Sequence, residues 1–232
     1  MTTALRRSAI VAASTLAGLL VLFVGVMGFA HTRAGRPLLA VIGRVVHGGS
    51  CPLGFDKTAT PAAREQAAAR FSASHRGVGP AHARPALGFA LGESRRSDVV
   101  AALAARGVSC TKGGAAELVC PHVPAKDLPG TPERELWFTF GAHQQLLSLV
   151  ALSRDSDPRV VSAAFAATTT AVSQQAGPAT KTSGDGSATS LAAGALSQAS
   201  AEFRFSDYYA LARATNMGTG YLLTEEYRAL ID

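Results

Sequence analysis

Glu135-Leu136-Trp137-Phe138-Thr139-Phe140, then Gly141 to Gln145, then Leu146-Leu147-Ser148-Leu149-Val150-Ala151-Leu152, is the stretch on which the fold turns. Its first part alternates apolar residues at period two and its second is a short continuous apolar run. Both read as strands, joined by a turn. Alternation puts Leu136, Phe138 and Phe140 on one face and Trp137 and Thr139 on the other. A pair this apolar belongs at the centre of a sheet. The expected fold class is α+β: an N-terminal transmembrane helix, then a mostly antiparallel sheet with helices packed on one face.

On the C-terminal side, Asp157 and Pro158 start a helix whose stripe is Val161, Phe165, Thr168 and Val172, ending before Gly177-Pro178. A flexible loop is expected near 177–200, with Thr180 to Ser190 mobile. Strands follow at Ala201–Phe205, Tyr208–Thr215 and Tyr221–Tyr227, the last two joined by a turn at Asn216–Gly220.

On the N-terminal side, Leu87–Gly92 reads as a short strand or extended lead-in, and Ser94 as the cap of a helix through Arg106. Val99, Ala102, Leu103 and Arg106 form its stripe and Gly107 closes it. Val108–Thr111 and Glu117–His122 then flank a hairpin loop, Lys112–Ala116, and residues 123–134, with three prolines, read as a loop. The order helix-then-strands thus occurs twice. Upstream, Thr60 caps a short helix from Pro61 to Phe71, and Ser72–Pro85 reads as a linker. The expected core is Leu103, Leu136, Phe138, Phe140, Leu147, Leu149, Phe165 and Phe203.

Residues 9–30 carry no charge and, as a helix, would be about 33 Å long, enough to cross a bilayer core. Two readings stand: a retained signal anchor, favoured by the length of the run, and a signal peptide cleaved near Ala30. Either exports the C-terminal part. The organisation expected is a cytoplasmic tail (1–8), an anchor (9–30), a basic juxtamembrane segment with short helix and linker (31–86), and the α+β domain (87–232). The location expected is the bacterial inner membrane, single-pass, with the domain extracytoplasmic.

Charge is uneven: residues 1–106 hold 13 Lys/Arg against 4 Asp/Glu, and residues 107–232 hold 9 against 12. The basic half lies nearest the apolar run, so Arg33, Arg36 and Arg44 are candidates to contact anionic lipid. A nucleic-acid surface would interleave basic residues with aromatics, and only Phe55 and Phe71 lie between residues 31 and 88. Nucleic acid is excluded as a partner on that ground.

Gly92 to Leu152 runs glycine, helix, Gly-x-x-Cys, a strand ending in Cys, then Leu-Trp-Phe-Thr-Phe turning into Leu-Leu-Ser-Leu. This order resembles the helix-then-antiparallel-sheet modules of bacterial envelope proteins, such as the SmpA-like lipoproteins of barrel assembly and the β-lactamase-inhibitor-protein repeats. The resemblance implies a two-layer module that binds proteins rather than catalyses, and it transfers no functional residue. It also departs from the lipoproteins, because Cys51 follows Gly-Gly-Ser instead of a lipobox.

Cys110 and Cys120 face each other across the proposed hairpin, because their midpoint, Ala115, sits in the loop; a disulfide or two buried thiols would fit. Cys51 is left over. A zinc set of Cys110, Cys120, His122 and His143 lacks the spacing of a structural finger, and a Cys51–His47 pair lies among glycines that would not hold it rigid. No catalytic, cofactor or metal residue is therefore assigned. Glu133 with Glu135, and Glu225 with Glu226, read as charges on the wet face of a sheet. Tyr208, Tyr209, Tyr221 and Tyr227, with Trp137, form the candidate binding face, core packing being the alternative. The expected function is a membrane-anchored, non-catalytic binding or assembly module whose partner is another envelope protein. A sensory or regulatory ectodomain is the alternative, and an enzyme the third.

Overall fold

The computed structural model describes residues 60–114, 116–124 and 133–231, without the side chains of Lys112 and Glu133. The apolar run 9–30, the cleavage position near Ala30, Arg33, Arg36, Arg44, His47 and Cys51 lie outside them. The chain divides after Asp56, and the described residues belong to its second unit. Among them no helix is long and apolar enough to cross a membrane.

In chain order the elements are helices α1 (Pro61–His75) and α2 (Arg96–Ala105), then strands β1 (Thr111–Gly114), β2 (Glu117–Pro124), β3 (Glu133–Phe140) and β4 (Leu146–Asp155). Helix α3 (Pro158–Ala176), strand β5 (Lys181–Ser183) and helix α4 (Ala188–Ala192) follow, and then strands β6 (Gln198–Arg204), β7 (Tyr208–Asn216) and β8 (Tyr221–Ala229). The fold is α+β. All eight strands form one antiparallel sheet in the order β1-β2-β3-β4-β8-β7-β6-β5. Each run of four is a meander preceded by a helix, and the two meanders meet through their last strands, β4 and β8.

The alternation read from β3 holds: Leu136, Phe138 and Phe140 are buried, while Trp137 and Thr139 are half-buried. Register carries the inner face across the sheet. Phe138, Leu149, Tyr227, Ala210 and Phe203 stand side by side on five successive strands and are all buried. Helices α2, through Val99 and Leu103, and α3, through Val172 and Ala176, close this face. Of the expected core residues only Phe165 is half-buried; the other seven are buried.

The termini of the helices follow capping chemistry. Thr60 Oγ1 accepts from Ala63 N and Pro61 opens α1; Asp157 accepts from Arg159 N and Pro158 opens α3. Helix α2 is capped one residue later than Ser94: Arg95 N donates to Asp98, and Ser94 Oγ accepts from Ala90 N instead. Gly107 ends it with a φ of 72°, a left-handed value that glycine adopts without strain.

Several expectations need correction. Helices lie on both faces of the sheet. Helix α1 runs along the outer row of Glu117, Thr139, Ser148, Arg228 and Tyr209, with Arg64 paired to Glu117 and Phe71 packed on Tyr209 and beneath the Arg228 guanidinium. The reason is burial: Tyr209, Leu211 and Leu230 make a small apolar cluster on that side, and Phe71 covers it. Ser72–Pro85 does not hang free, because α1 continues to His75 and the chain beyond is hydrogen-bonded to the β6–β7 turn through Gly77, Gly79 and Ala81. Leu87–Gly92 forms turns rather than a strand, with Ala86, Phe89 and Leu91 buried.

Lys112–Gly114, read as loop, pair with β2, and the hairpin closes tighter than expected. Thr180–Ser190, read as mobile, contains β5, bonded to β6, and the start of α4; Ser187 caps that helix and Leu191 anchors it in a second core cluster. Arg134, read as loop, is inside β3.

Candidate functional site

The inner face is not closed everywhere. Between α3, the sheet and the segment Ala83–Ala90, here called the strap, lies a cavity of about 720 Å³, within the usual range for small-molecule sites. Small side chains create it. Ala167 and Ala171, one turn apart on α3, face the strap where larger residues would fill the gap.

The strap is fixed at several points. His82 N donates to Ala176 O (3.1 Å), and Tyr208 Oη donates to Pro85 O (2.5 Å). Leu87 and Gly88 form a turn closed by Phe89 N to Ala86 O (3.0 Å), with φ values of 54° and 86°. For Leu87 that conformation is strained by about 1–2 kcal/mol, and Leu87 lines the cavity.

The floor is polar. Arg134 of β3 and Glu225 of β8 form an ion pair (3.1 Å) with both side chains 1% exposed. Thr168 of α3 donates to Glu225 Oε1 (2.8 Å) and Tyr227 donates to Glu225 Oε2 (3.1 Å). Three donors converge on one carboxylate. They offset the large cost of taking it out of water. Burial, then the neighbouring Glu225 charge, pushes the Tyr227 phenol well above its ordinary range, so it stays protonated and donates. Burial alone pushes Tyr208 up as well.

Three further lining residues carry the rest of the chemistry. Arg84 pairs with Glu93 at 2.8 Å, and Gln175 lies on the exposed side of α3. Arg106, exposed at the C-terminus of α2, holds its guanidinium 5.9 Å from the Phe89 ring centroid. Among the described residues, histidine, cysteine, serine, lysine and aspartate are missing from the lining.

The residues proposed as a single binding face are divided between the two sides of the sheet. Tyr208, Tyr221 and Tyr227 point to the inner face, and Tyr208 and Tyr227 are buried there. Tyr209 and Trp137 point outward, on strands separated by β4 and β8. Tyr209 is buried under Phe71, and Trp137 is half-buried with Nε1 donating to Glu135 (2.8 Å). Cys110 and Cys120 are disulfide-bonded with Cα atoms 4.1 Å apart. That bond removes both sulfur ligands from the zinc set.

Sequence reasoning misses two of the site's residues. Glu225, expected with Glu226 on the wet face, is buried, whereas Glu226 faces outward and pairs with Arg228. The sequence did hold the signal: Leu223, Glu225, Tyr227 and Ala229 recur at period two, so a carboxylate sat within an otherwise apolar inward set. Arg134 is its counter-charge on β3, two residues before Leu136 on the same alternation. Compared with family models, curated proteins and solved structures, the chain finds no match.

Proposed function

We propose that this chain is a membrane-anchored, non-catalytic binding module of the bacterial envelope, with its domain on the extracytoplasmic side, and that it holds a small, largely apolar molecule between α3, the strap and the sheet. The observation that carries the reading is the cavity: apolar walls over a polar floor whose groups already satisfy one another. Such a floor positions a ligand but offers no free base. The Glu225 oxygens are engaged by Arg134, Thr168 and Tyr227, the Tyr227 phenol is held protonated, and the described lining residues include no nucleophile of the serine or cysteine kind. Export is supported by the disulfide, since such bonds persist in oxidising compartments. Anchoring is supported by the uncharged run 9–30.

The test uses the full chain in nanodiscs of neutral phospholipid and the fluorescent probe N-phenyl-1-naphthylamine. Saturable binding of one probe per chain, above that of empty nanodiscs and lost in Ala171→Trp, is expected. Ala171 is exposed on α3, so the larger ring enters the cavity without disturbing the buried stripe. Binding that is unsaturable, or unchanged in Ala171→Trp, would refute the reading.

Trp137 favours a second reading, in which the outer face docks another envelope protein. It is a half-buried indole beside Val150 and next to a row that α1 covers. A photo-crosslinking amino acid at position 137 should then capture one reproducible partner in membranes. Absence of any adduct would remove this reading.

A further inference from the structure

We infer that the ligand of this cavity is a free single-chain amphiphile with an anionic head, its chain lying against the apolar walls and its head paired with Arg106 at the mouth. The inference rests on the reading of the cavity as a ligand site and adds the ligand's charge and shape.

The described residues of the lining include three arginines and one carboxylate. Arg134 is neutralised by Glu225, and Arg84 by Glu93. Arg106 is left. Among the described residues its side chain makes no hydrogen bond or ion pair, and its guanidinium stands over the Phe89 ring. Cation–π contact holds that guanidinium over the apolar wall without cancelling its charge. A neutral ligand would gain nothing from it, and a cationic one would be repelled.

The cavity also argues for a molecule removed from the bilayer rather than a head group met at its surface. Its volume takes the body of a ligand, and Ala86, Phe89 and Val172 give that body a wall that is itself buried. Arg106 stands where an anion can meet it while staying in water, so the head need not be desolvated to bind.

The experiment compares photoactivatable diazirine derivatives of dodecanoic acid and dodecanol on the full chain in neutral nanodiscs, with adducts mapped by peptide mass spectrometry. The acid should label peptides spanning 83–90 and 167–175. Arg106→Gln should lower that labelling by about threefold to fivefold, which is what an exposed ion pair can contribute, and leave labelling by the alcohol unchanged. Equal labelling by acid and alcohol, or no effect of Arg106→Gln, would overturn the anionic head while the cavity reading stands. Labelling of those peptides by neither probe would overturn the cavity reading itself. If adding phosphatidylglycerol to the nanodiscs abolishes labelling by the acid, the source is a membrane lipid and the free amphiphile is wrong.

Discussion

Replacing Arg134 by Met should be among the most damaging single substitutions in the domain, and replacing Glu225 by Leu at the same time should rescue it. Methionine keeps most of the arginine's volume but leaves Glu225 buried with only Thr168 and Tyr227 as partners. Removing one member of a buried pair costs about 3–5 kcal/mol, because a charge is left uncompensated. Unfolding of a chain this size shifts by about 2–4 °C per kcal/mol, so the midpoint should fall by about 6–20 °C. In the double variant neither charge of this pair is left in the core. Exchanging an ion pair for packed apolar groups is neutral or gains about 1–4 kcal/mol, and the Thr168 and Tyr227 hydroxyls lose their acceptor at about 1 kcal/mol each. The double variant should therefore sit near the wild type. Urea unfolding of the full chain, followed by fluorescence of its single tryptophan, Trp137, reports both at constant m. A single-variant loss under about 1 kcal/mol, or a double variant as unstable as the sum of the singles, would refute the placement of this pair at the floor of the core.

The Cys110–Cys120 bond closes a loop of sequence separation 10, so Cys110→Ala/Cys120→Ala should cost about 2–3 kcal/mol in urea unfolding; no change would show that the bond does not form in the protein. Leu196 is 73% exposed with a φ of 67°, so Leu196→Asn should raise stability by about 0.5–1 kcal/mol, since asparagine tolerates that conformation and no packing is lost. A destabilised Leu196→Asn would contradict the backbone assigned there. The raised phenols of Tyr208 and Tyr227 stabilise the fold fully below the unfolded tyrosine value of 10.0, and that stability is lost as pH rises above it. The slope is about 1.4 kcal/mol per pH unit for each tyrosine still protonated in the folded chain. Stability flat from pH 8 to 11.5 would mean that both phenols are accessible. Phe138→Ala should cost about 3–5 kcal/mol in the same assay, since Phe138 is buried on the inner face with its ring packed edge-on against Phe89.

The sequence was most legible where one periodicity ruled a whole element. Trp137 between Leu136 and Phe138 announced the two faces of β3, and Thr60-Pro61 and Asp157-Pro158 announced two helix starts. The strand that closes the sheet's centre, β8, was equally regular, yet its inward set includes Glu225, and a carboxylate was read as solvent-facing by default. What was hidden is pairing at a distance: nothing local to Arg134 says that a carboxylate 91 residues away will neutralise it. The strap was hidden for a related reason. Glycines and prolines in Ser72–Ala90 signal turns, but whether turns float or are pinned depends on partners such as Ala176 O and the Tyr208 hydroxyl, which only the fold supplies. Helix α1 was placed correctly as a helix but not on a face, because its apolar residues, mostly alanine, form too weak a stripe to declare one.

Ligand-linked stability bears most directly on the cavity as the functional site. With dodecanoate at about 100 times its measured dissociation constant, binding to the folded state should add about 2.7 kcal/mol, raising the unfolding midpoint of the full chain in neutral nanodiscs by about 5–11 °C. The same concentration should leave Ala171→Trp unmoved, and without ligand that variant should unfold near the wild-type midpoint, because Ala171 is exposed. A wild type that does not shift, or an Ala171→Trp variant that shifts by the same amount, would contradict a ligand bound between α3, the strap and the sheet.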